Sequence, residues 1–75
     1  MKQIIFYSKT GCPWCVAMKE FLDNKGYKYQ EKNVTEDSEL FVELKTLSGQ
    51  DKAPTLIIDG KIHADVGVDD IKDLL

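Results

Sequence analysis

The hydrophobic pattern of this chain changes its period early, from that of a strand to that of a helix. Residues Gln3 to Tyr7 form a short run of β-branched and aromatic side chains, typical of a buried strand, and the turn-forming segment 8–11 ends it. A helix is predicted from Pro13, whose fixed φ suits a first turn, to Gly26, which suits the position just past a helix end. The apolar residues at helical spacing are Trp14, Ala17, Met18, Phe21 and Leu22. A strand that leads into a helix predicts the start of an α/β domain.

A second strand and a second helix are predicted to follow. Segment 27–34 places Tyr27, Tyr29 and Val34 among polar residues, as a strand with one buried face does. Thr35, followed by two acids, has the chemistry of a helix N-cap, and the helix is predicted to end at Gly49. The apolar stripe of this helix, predicted to lie in the core, consists of Leu40, Phe41, Leu44 and Leu47.

The last third of the chain predicts a hairpin and a short helix. Segments 55–58 and 61–64 are joined by Asp59-Gly60, which is a strong signal for a tight hairpin turn. A terminal helix is predicted at Asp69-Asp70, and its apolar residues are Ile71, Leu74 and Leu75. The full order is β-α-β-α-β-β-α, and its first β-α-β unit implies a parallel pair with a right-handed crossover. The predicted fold is α/β, with a central mixed sheet flanked by helices.

Length and charge argue against several kinds of function. The 75 residues are predicted to form one domain over 1–75 and to act as a monomer. Lysine and arginine together number 10 and the acids 13, so a net charge of −3 provides no basic stripe for nucleic acid. The apolar runs are too short to span a bilayer, and Met1-Lys2-Gln3 leads into the first strand without a signal-peptide pattern. We therefore expect a cytoplasmic protein without nucleic-acid or membrane partners.

Two cysteines, Cys12 and Cys15, lie three positions apart at the predicted start of the first helix. A structural disulfide stabilises a chain mainly by closing a long loop, so this spacing favours redox chemistry or metal ligation. A structural zinc site needs four ligands, and His63 is the one further Cys or His in the sequence. Zinc ligation is therefore a weaker hypothesis than redox chemistry for this pair. His63 itself, beside charged residues in a hairpin arm, is interpreted as a solvated strand residue.

The two cysteines are predicted to have different roles. Cys12 lies at the predicted N-cap, where free backbone N–H groups and the helix dipole favour an anionic thiolate, and Lys9 lies just upstream. Cys15 follows one helical turn later and is expected to be more buried, yet close enough to attack a mixed disulfide at Cys12. Cys12 is therefore the predicted nucleophile and Cys15 the resolving thiol.

Three segments together resemble a known family. They are Tyr7-Ser8-Lys9-Thr10-Gly11-Cys12-Pro13-Trp14-Cys15, Ser48-Gly49-Gln50 and Ala53-Pro54-Thr55. The chain looks like a glutaredoxin of the thioredoxin fold over its whole length. It is most similar to the short Cys-Pro-Trp-Cys type and to the glutaredoxin-like hydrogen donors of ribonucleotide reductase.

The resemblance implies a thiol–disulfide oxidoreductase that needs no bound organic cofactor and uses glutathione as co-substrate. It also implies a cis Ala53-Pro54 peptide facing the cysteines, with the Ala53 backbone pairing with a peptide or with glutathione. The remaining residues that it places at the substrate or glutathione site are Lys9, Pro13, Trp14, Gln50, Asp69 and Asp70.

Some alternatives stay open at the level of sequence. Segment 66–70 keeps one glycine and both acids of the family's glutathione-binding turn, so a flavoenzyme of the thioredoxin-reductase type is an alternative electron donor to glutathione. Trp14 fits the apolar stripe of the first helix, but its place between the cysteines favours a rim that contacts targets. An iron–sulfur cluster or metal carrier on the same fold is the alternative of another class.

Overall fold

The computed structural model describes residues 3–64 and 66–73, and within them four strands form one sheet. The elements are β1 (Ile4–Ser8), α1 (Pro13–Asn24), β2 (Gln30–Asn33), α2 (Ser38–Ser48), β3 (Thr55–Ile58), β4 (Lys61–His63) and α3 (Val68–Ile71). The strand order is β2-β1-β3-β4, with β1 parallel to β2 and antiparallel to β3, and β3 antiparallel to β4. The predicted element order and the mixed sheet are confirmed.

The side chains of β1 alternate between the two faces of the sheet, as the period of a strand requires. Ile4 and Phe6 lie in the larger core cluster, whereas Tyr7 lies in a second cluster with Ile5 packed against it. The larger cluster collects buried residues from α1, β3 and α3, namely Cys15, Met18, Leu22, Leu56, Ile58 and Ile71. The second cluster joins Tyr7 to Val34 and to Leu44 of α2. Cys15 is thus part of the main core.

Helix α1 begins and ends where the sequence predicts. Pro13 is its first residue, and Gly26, with φ 75°, follows the helix end. Met18 and Leu22 are buried, but Trp14, at the start of the predicted apolar stripe, is 68% exposed. Strand β2 is shorter than predicted, because Tyr27 and Tyr29 precede it and pack against the main core cluster instead.

The prediction that Thr35 caps α2 is wrong. Asp37 is the N-cap, and its carboxylate accepts the Glu39 N–H at 2.9 Å. The Thr35 and Glu36 N–H groups donate to Asn33 Oδ1, and this turn delays the helix by two residues relative to the prediction. The Thr35 hydroxyl oxygen instead accepts the Thr10 N–H at 3.1 Å.

The prediction that Leu47 belongs to the core is also wrong, because it is 43% exposed. Ser48, four residues after the buried Leu44, takes the half-buried position in the last turn of α2. Its hydroxyl donates to Leu44 O at 2.7 Å, and Gly49 follows in the left-handed conformation predicted for a helix end. Leu74 and Leu75, predicted for the terminal helix, lie outside the described residues.

None of the helices within 3–64 and 66–73 is long and apolar enough to cross a membrane.

Candidate active site

Cys12 occupies the N-cap of α1, at the end of the loop that follows β1. Its backbone is extended (φ −98°, ψ 109°), and its Sγ accepts the Cys15 N–H at 3.2 Å. Its carbonyl oxygen accepts the first N–H groups of the helix, from Cys15 and Val16, both at 3.1 Å. The side chain is half-buried. The Cys12 sulfur is therefore accessible, and it lies at the helix end where backbone N–H groups point outward.

Cys15 lies one turn further along α1, and its environment is different. It is 4% exposed and packs in the main core cluster. The pKa of its thiol is raised to about 12, chiefly by burial and next by the hydrogen bond with Cys12, while the backbone and charge of Lys9 oppose the change. Both thiols are free in this structure. The pair therefore combines an accessible sulfur with a buried, protonated one.

The Ala53-Pro54 peptide lies beside Cys12 and is cis, as the family resemblance implies. The Cys12 thiol lies 4.0 Å from the Ala53 carbonyl oxygen, measured from Sγ. The loop is anchored on both sides, because the Thr55 hydroxyl donates to Lys52 O at 2.9 Å and the Val66 N–H donates to Pro54 O at 3.1 Å. Helix α1 and this loop thus face each other across the Cys12 sulfur.

A groove of about 420 Å³ runs from Ala53 and Pro54 to the start of α3. Trp14 lines this groove, and its ring atom Cε3 would lie 4.0 Å from a Cβ placed on Gly67, another lining residue. The lining residues are Trp14, Ala17, Ala53, Pro54, Val66, Gly67, Val68, Asp69 and Asp70. The groove starts beside Cys12, so a molecule joined to that sulfur can extend into it.

The fold and this cysteine site match a known family. A family model described as glutaredoxin covers residues 4–63 of the chain. The chain belongs to the glutaredoxin family. A relative from Clostridium pasteurianum, an uncharacterised glutaredoxin-like 8.6 kDa protein in the rubredoxin operon, is 39% identical over 59 residues, which is 79% of each protein.

Solved structures agree with this assignment. The thioredoxin-like protein BC3987 superposes with a TM-score of 0.87 and 32% identity, covering 96% of this chain and 99% of that one. A buckwheat glutaredoxin, solved as a complex with glutathione, has a TM-score of 0.76 and 27% identity, covering 96% of this chain and 66% of that one. The predicted thioredoxin-like fold is confirmed.

The structure brings most of the predicted site residues to one end of the molecule. Trp14, Ala53, Pro54, Asp69 and Asp70 line the groove, and Cys12 lies at its Ala53 end. Pro13, the first residue of α1, is exposed beside Cys12.

Lys9 and Gln50 lie apart from the groove lining. The Lys9 Nζ donates to the Asp51 carbonyl oxygen and lies 5.6 Å from the centre of the Phe41 ring. Gln50 is half-buried after α2, where its carbonyl oxygen lies 2.8 Å from the Ser48 Oγ. Their predicted contact with glutathione stays a prediction.

Four groove residues were not predicted as site residues. They are Ala17, Val66, Gly67 and Val68. Three of them belong to segment 66–70, which resembles the family's glutathione-binding turn, so that resemblance was a usable signal for them. Ala17 was predicted only as one of the apolar residues at helical spacing in α1; it is exposed and lies one turn after Trp14 in the groove lining. In the described part of the chain, no three His, Cys, Asp or Glu side chains are grouped closely enough to hold a metal ion.

Proposed function

We propose that this glutaredoxin-family protein is a dithiol oxidoreductase in which Cys12 attacks a substrate disulfide and Cys15 resolves the intermediate. The observation that supports it most directly is the contrast within one helical turn. Cys12 is a half-buried N-cap beside a groove, whereas Cys15 is a core residue with a raised pKa. The attacking sulfur needs access and anionic character, and the resolving sulfur needs neither until the intermediate has formed.

The reaction consists of two displacements. In the first, the Cys12 thiolate forms a bond to one substrate sulfur, the substrate S–S bond breaks, and the other sulfur leaves with the electron pair. In the second, Cys15 loses its proton to solvent and its sulfur attacks Cys12 Sγ, which releases the second substrate thiolate. The substrate disulfide is reduced by two electrons, and the Cys12–Cys15 pair is oxidised to a disulfide.

The proposed substrates are protein disulfides or mixed disulfides of glutathione. Membership of the glutaredoxin family supports this class, and a buckwheat relative has been solved with glutathione. An external donor then restores the dithiol, either glutathione or a flavoenzyme of the thioredoxin-reductase type. Such a cycle fits a reducing compartment such as the cytoplasm, where thiols are kept reduced.

Single serine variants test the two assigned roles. Cys12→Ser should abolish reduction of every disulfide substrate, because a serine hydroxyl does not ionise as a thiol does. Cys15→Ser should keep the first displacement, so adducts should accumulate on Cys12 and be visible by mass spectrometry. The reduced wild type, in contrast, should show only transient adducts.

The double variant Cys12→Ser/Cys15→Ser is the matched control for reactions elsewhere on the chain. If turnover persists in Cys12→Ser, or if adducts form on Cys15 in that variant, Cys12 is not the nucleophile and the proposed assignment is wrong. If Cys15→Ser reduces protein disulfides as fast as the wild type does, the proposed role of Cys15 as the resolving thiol is wrong.

A further inference from the structure

Two loops leave the sheet side by side at the end where Cys12 lies. Strands β1 and β2 are parallel, and their register pairs Ser8, the last residue of β1, with Asn33, the last residue of β2. The Val34 N–H donates to Ser8 O at 2.9 Å, which continues the pairing one residue past β2. The loop that leads to Cys12 and the loop that leads to α2 therefore start next to each other.

Thr10, in the loop that leads to Cys12, is held at two points by the neighbouring loop. Its N–H donates to the Thr35 hydroxyl oxygen at 3.1 Å, and its own hydroxyl oxygen accepts the Asn33 side-chain N–H at 3.2 Å. Thr10 and Thr35 are both exposed. These two hydrogen bonds, and not burial in the core, therefore fix the position of Thr10.

Asn33 is oriented for this contact by the turn that follows it. Its Oδ1 accepts the Thr35 N–H at 2.9 Å and the Glu36 N–H at 3.3 Å. An amide oxygen only accepts and an amide nitrogen only donates, so these bonds fix which end of the side chain faces Thr10. The same turn places the Thr35 hydroxyl. Asn33 and Thr35 thus act together on Thr10 as a loop clamp.

A single residue, Gly11, separates Thr10 from Cys12. Gly11 has φ 76°, and a Cβ placed on it would meet no atom of the described residues within 4 Å. A glycine in such open surroundings does not restrict the chain direction by itself. The position of Cys12 therefore depends on Thr10 on one side and on α1 on the other. That position includes the extended backbone with which Cys12 Sγ accepts the Cys15 N–H at 3.2 Å.

Building on the function proposed above, we propose that Asn33 and Thr35 are positioning residues for the Cys12 nucleophile. They lie outside the groove lining and act through Thr10. A thiolate attacks a disulfide and a thiol does not, and an N–H that donates to the sulfur favours the thiolate. When a clamp bond is lost, Gly11 lets the sulfur of some molecules leave the Cys15 N–H. The observed rate of attack then falls with the fraction that stays in place.

The Thr35 hydroxyl can be removed with little change in side-chain shape. In a Cys15→Ser background, Cys12 is the one thiol of the chain. Its thiolate attacks one sulfur of 2,2′-dithiodipyridine, the S–S bond of the reagent breaks, and the absorbing pyridine thiolate leaves with the electron pair. Thr35→Val should slow this step about two- to tenfold, as expected for the loss of one hydrogen bond, and Thr35→Ser should restore most of the rate. Thr10→Val, which removes the bond from Asn33 and keeps the N–H donor, should also slow it.

Two variants of α2 separate positioning from general effects on the fold. Thr46→Val makes the same replacement at an exposed threonine of α2 and should leave the rate unchanged. Asp37→Ala removes the N-cap of α2 but neither clamp bond, so it should lower stability and leave the Cys12 rate close to that of the parent. All of these rates are measured without denaturant. In concentrated urea, where the clamp is absent, every variant should react at the same rate.

Three results would overturn the proposal while leaving the proposed function intact. They are a Thr35→Val rate equal to or above that of the parent, a Thr35→Ser rate as low as that of Thr35→Val, and an Asp37→Ala variant that slows Cys12 as much as Thr35→Val does. Absence of any reaction of the Cys15→Ser parent with 2,2′-dithiodipyridine would instead refute the proposed function, and the role of the clamp with it.

Discussion

The two cysteines lie one helical turn apart, yet they meet opposite environments. Their spacing and the helix start were enough to predict that Cys12 is the more accessible sulfur and Cys15 the more buried one, and the structure agrees. The depth of Cys15 was not predictable in detail, because it depends on core residues from other elements, such as Leu56 and Ile71, in the same cluster. Burial is a property of the whole core.

The pH dependence of Cys15 alkylation follows from its environment. Its folded pKa is raised from 9.0 to about 12, so at pH 8 the reduced thiol is almost entirely protonated and should react slowly with iodoacetamide. In Cys12→Ser, where Cys15 is the remaining thiol, burial still acts, and the rate should rise about tenfold per pH unit above pH 8. Mass spectrometry of samples quenched at successive times measures the alkylation rate at each pH.

The same variant unfolded in urea is the internal control. There Cys15 is solvated, so it should be alkylated much faster at pH 8 than in the folded protein, and its rate should level off about one pH unit above its ordinary pKa. Similar rates for the folded and unfolded protein at pH 8 would contradict the burial of this thiol.

The hydrogen bonds that join Tyr7, Glu43 and Lys32 could not be predicted from the sequence. The buried Tyr7 hydroxyl donates to Glu43 Oε1 at 2.5 Å, and the Lys32 ammonium donates to the same oxygen at 2.8 Å. Burial, followed by Glu43, raises the pKa of Tyr7, whereas hydrogen bonds from Lys32 and Tyr7 lower that of Glu43. Tyr7 and Glu43 are 36 positions apart, and a helix has to pack on the sheet before they meet. No local pattern encodes that contact.

At the scale of elements, the hydrophobic periods predicted the type and order of every strand and helix, but some boundaries depend on side-chain hydrogen bonds. Thr35 and Asp37 both have N-cap chemistry, and propensity does not choose between them. The choice is made by Asn33, whose side chain holds the Thr35 and Glu36 N–H groups in a turn. The cis Ala53-Pro54 peptide was implied by the family resemblance alone, because X-Pro bonds are cis in only about 5–6% of cases.

The cap of α2 gives a prediction at this scale. Asp37→Ala should lower the free energy of unfolding by about 0.5–2 kcal/mol, because the Glu39 N–H loses its acceptor. Asp37→Asn, which keeps an acceptor at the same position, should stay close to the wild type. Urea denaturation followed by circular dichroism measures both values.

The Asp37 pair also distinguishes capping from charge. Both variants remove the same negative charge, so equal losses would mean that the helix dipole, and not the hydrogen bond, accounts for the effect of Asp37.

At the scale of the whole molecule, the core is small and divided between the two faces of one sheet. A chain of this size is expected to be stable by only about 4–11 kcal/mol, so single core residues carry a large share of the total. Leu22, fully buried, belongs to the main cluster, whereas Leu47 is 43% exposed although the sequence pattern placed both in the core. Periodicity predicts which residues share a helix face, but the packing of the helix decides how far along its length that face is covered.

These two leucines therefore provide a matched comparison of the same substitution. Leu22→Ala should lower the free energy of unfolding by about 2–5 kcal/mol, because it removes buried methyl groups and leaves a cavity in the main core cluster. Leu47→Ala should change it by less than about 0.5 kcal/mol, since its side chain already meets solvent. Thermal and urea unfolding of the reduced proteins measure both changes in the free energy of unfolding. Reduction of a disulfide substrate by Leu47→Ala serves as the control that this variant keeps a working site. Equal losses would show that the last turn of α2 is covered in solution and that the core extends beyond its two clusters.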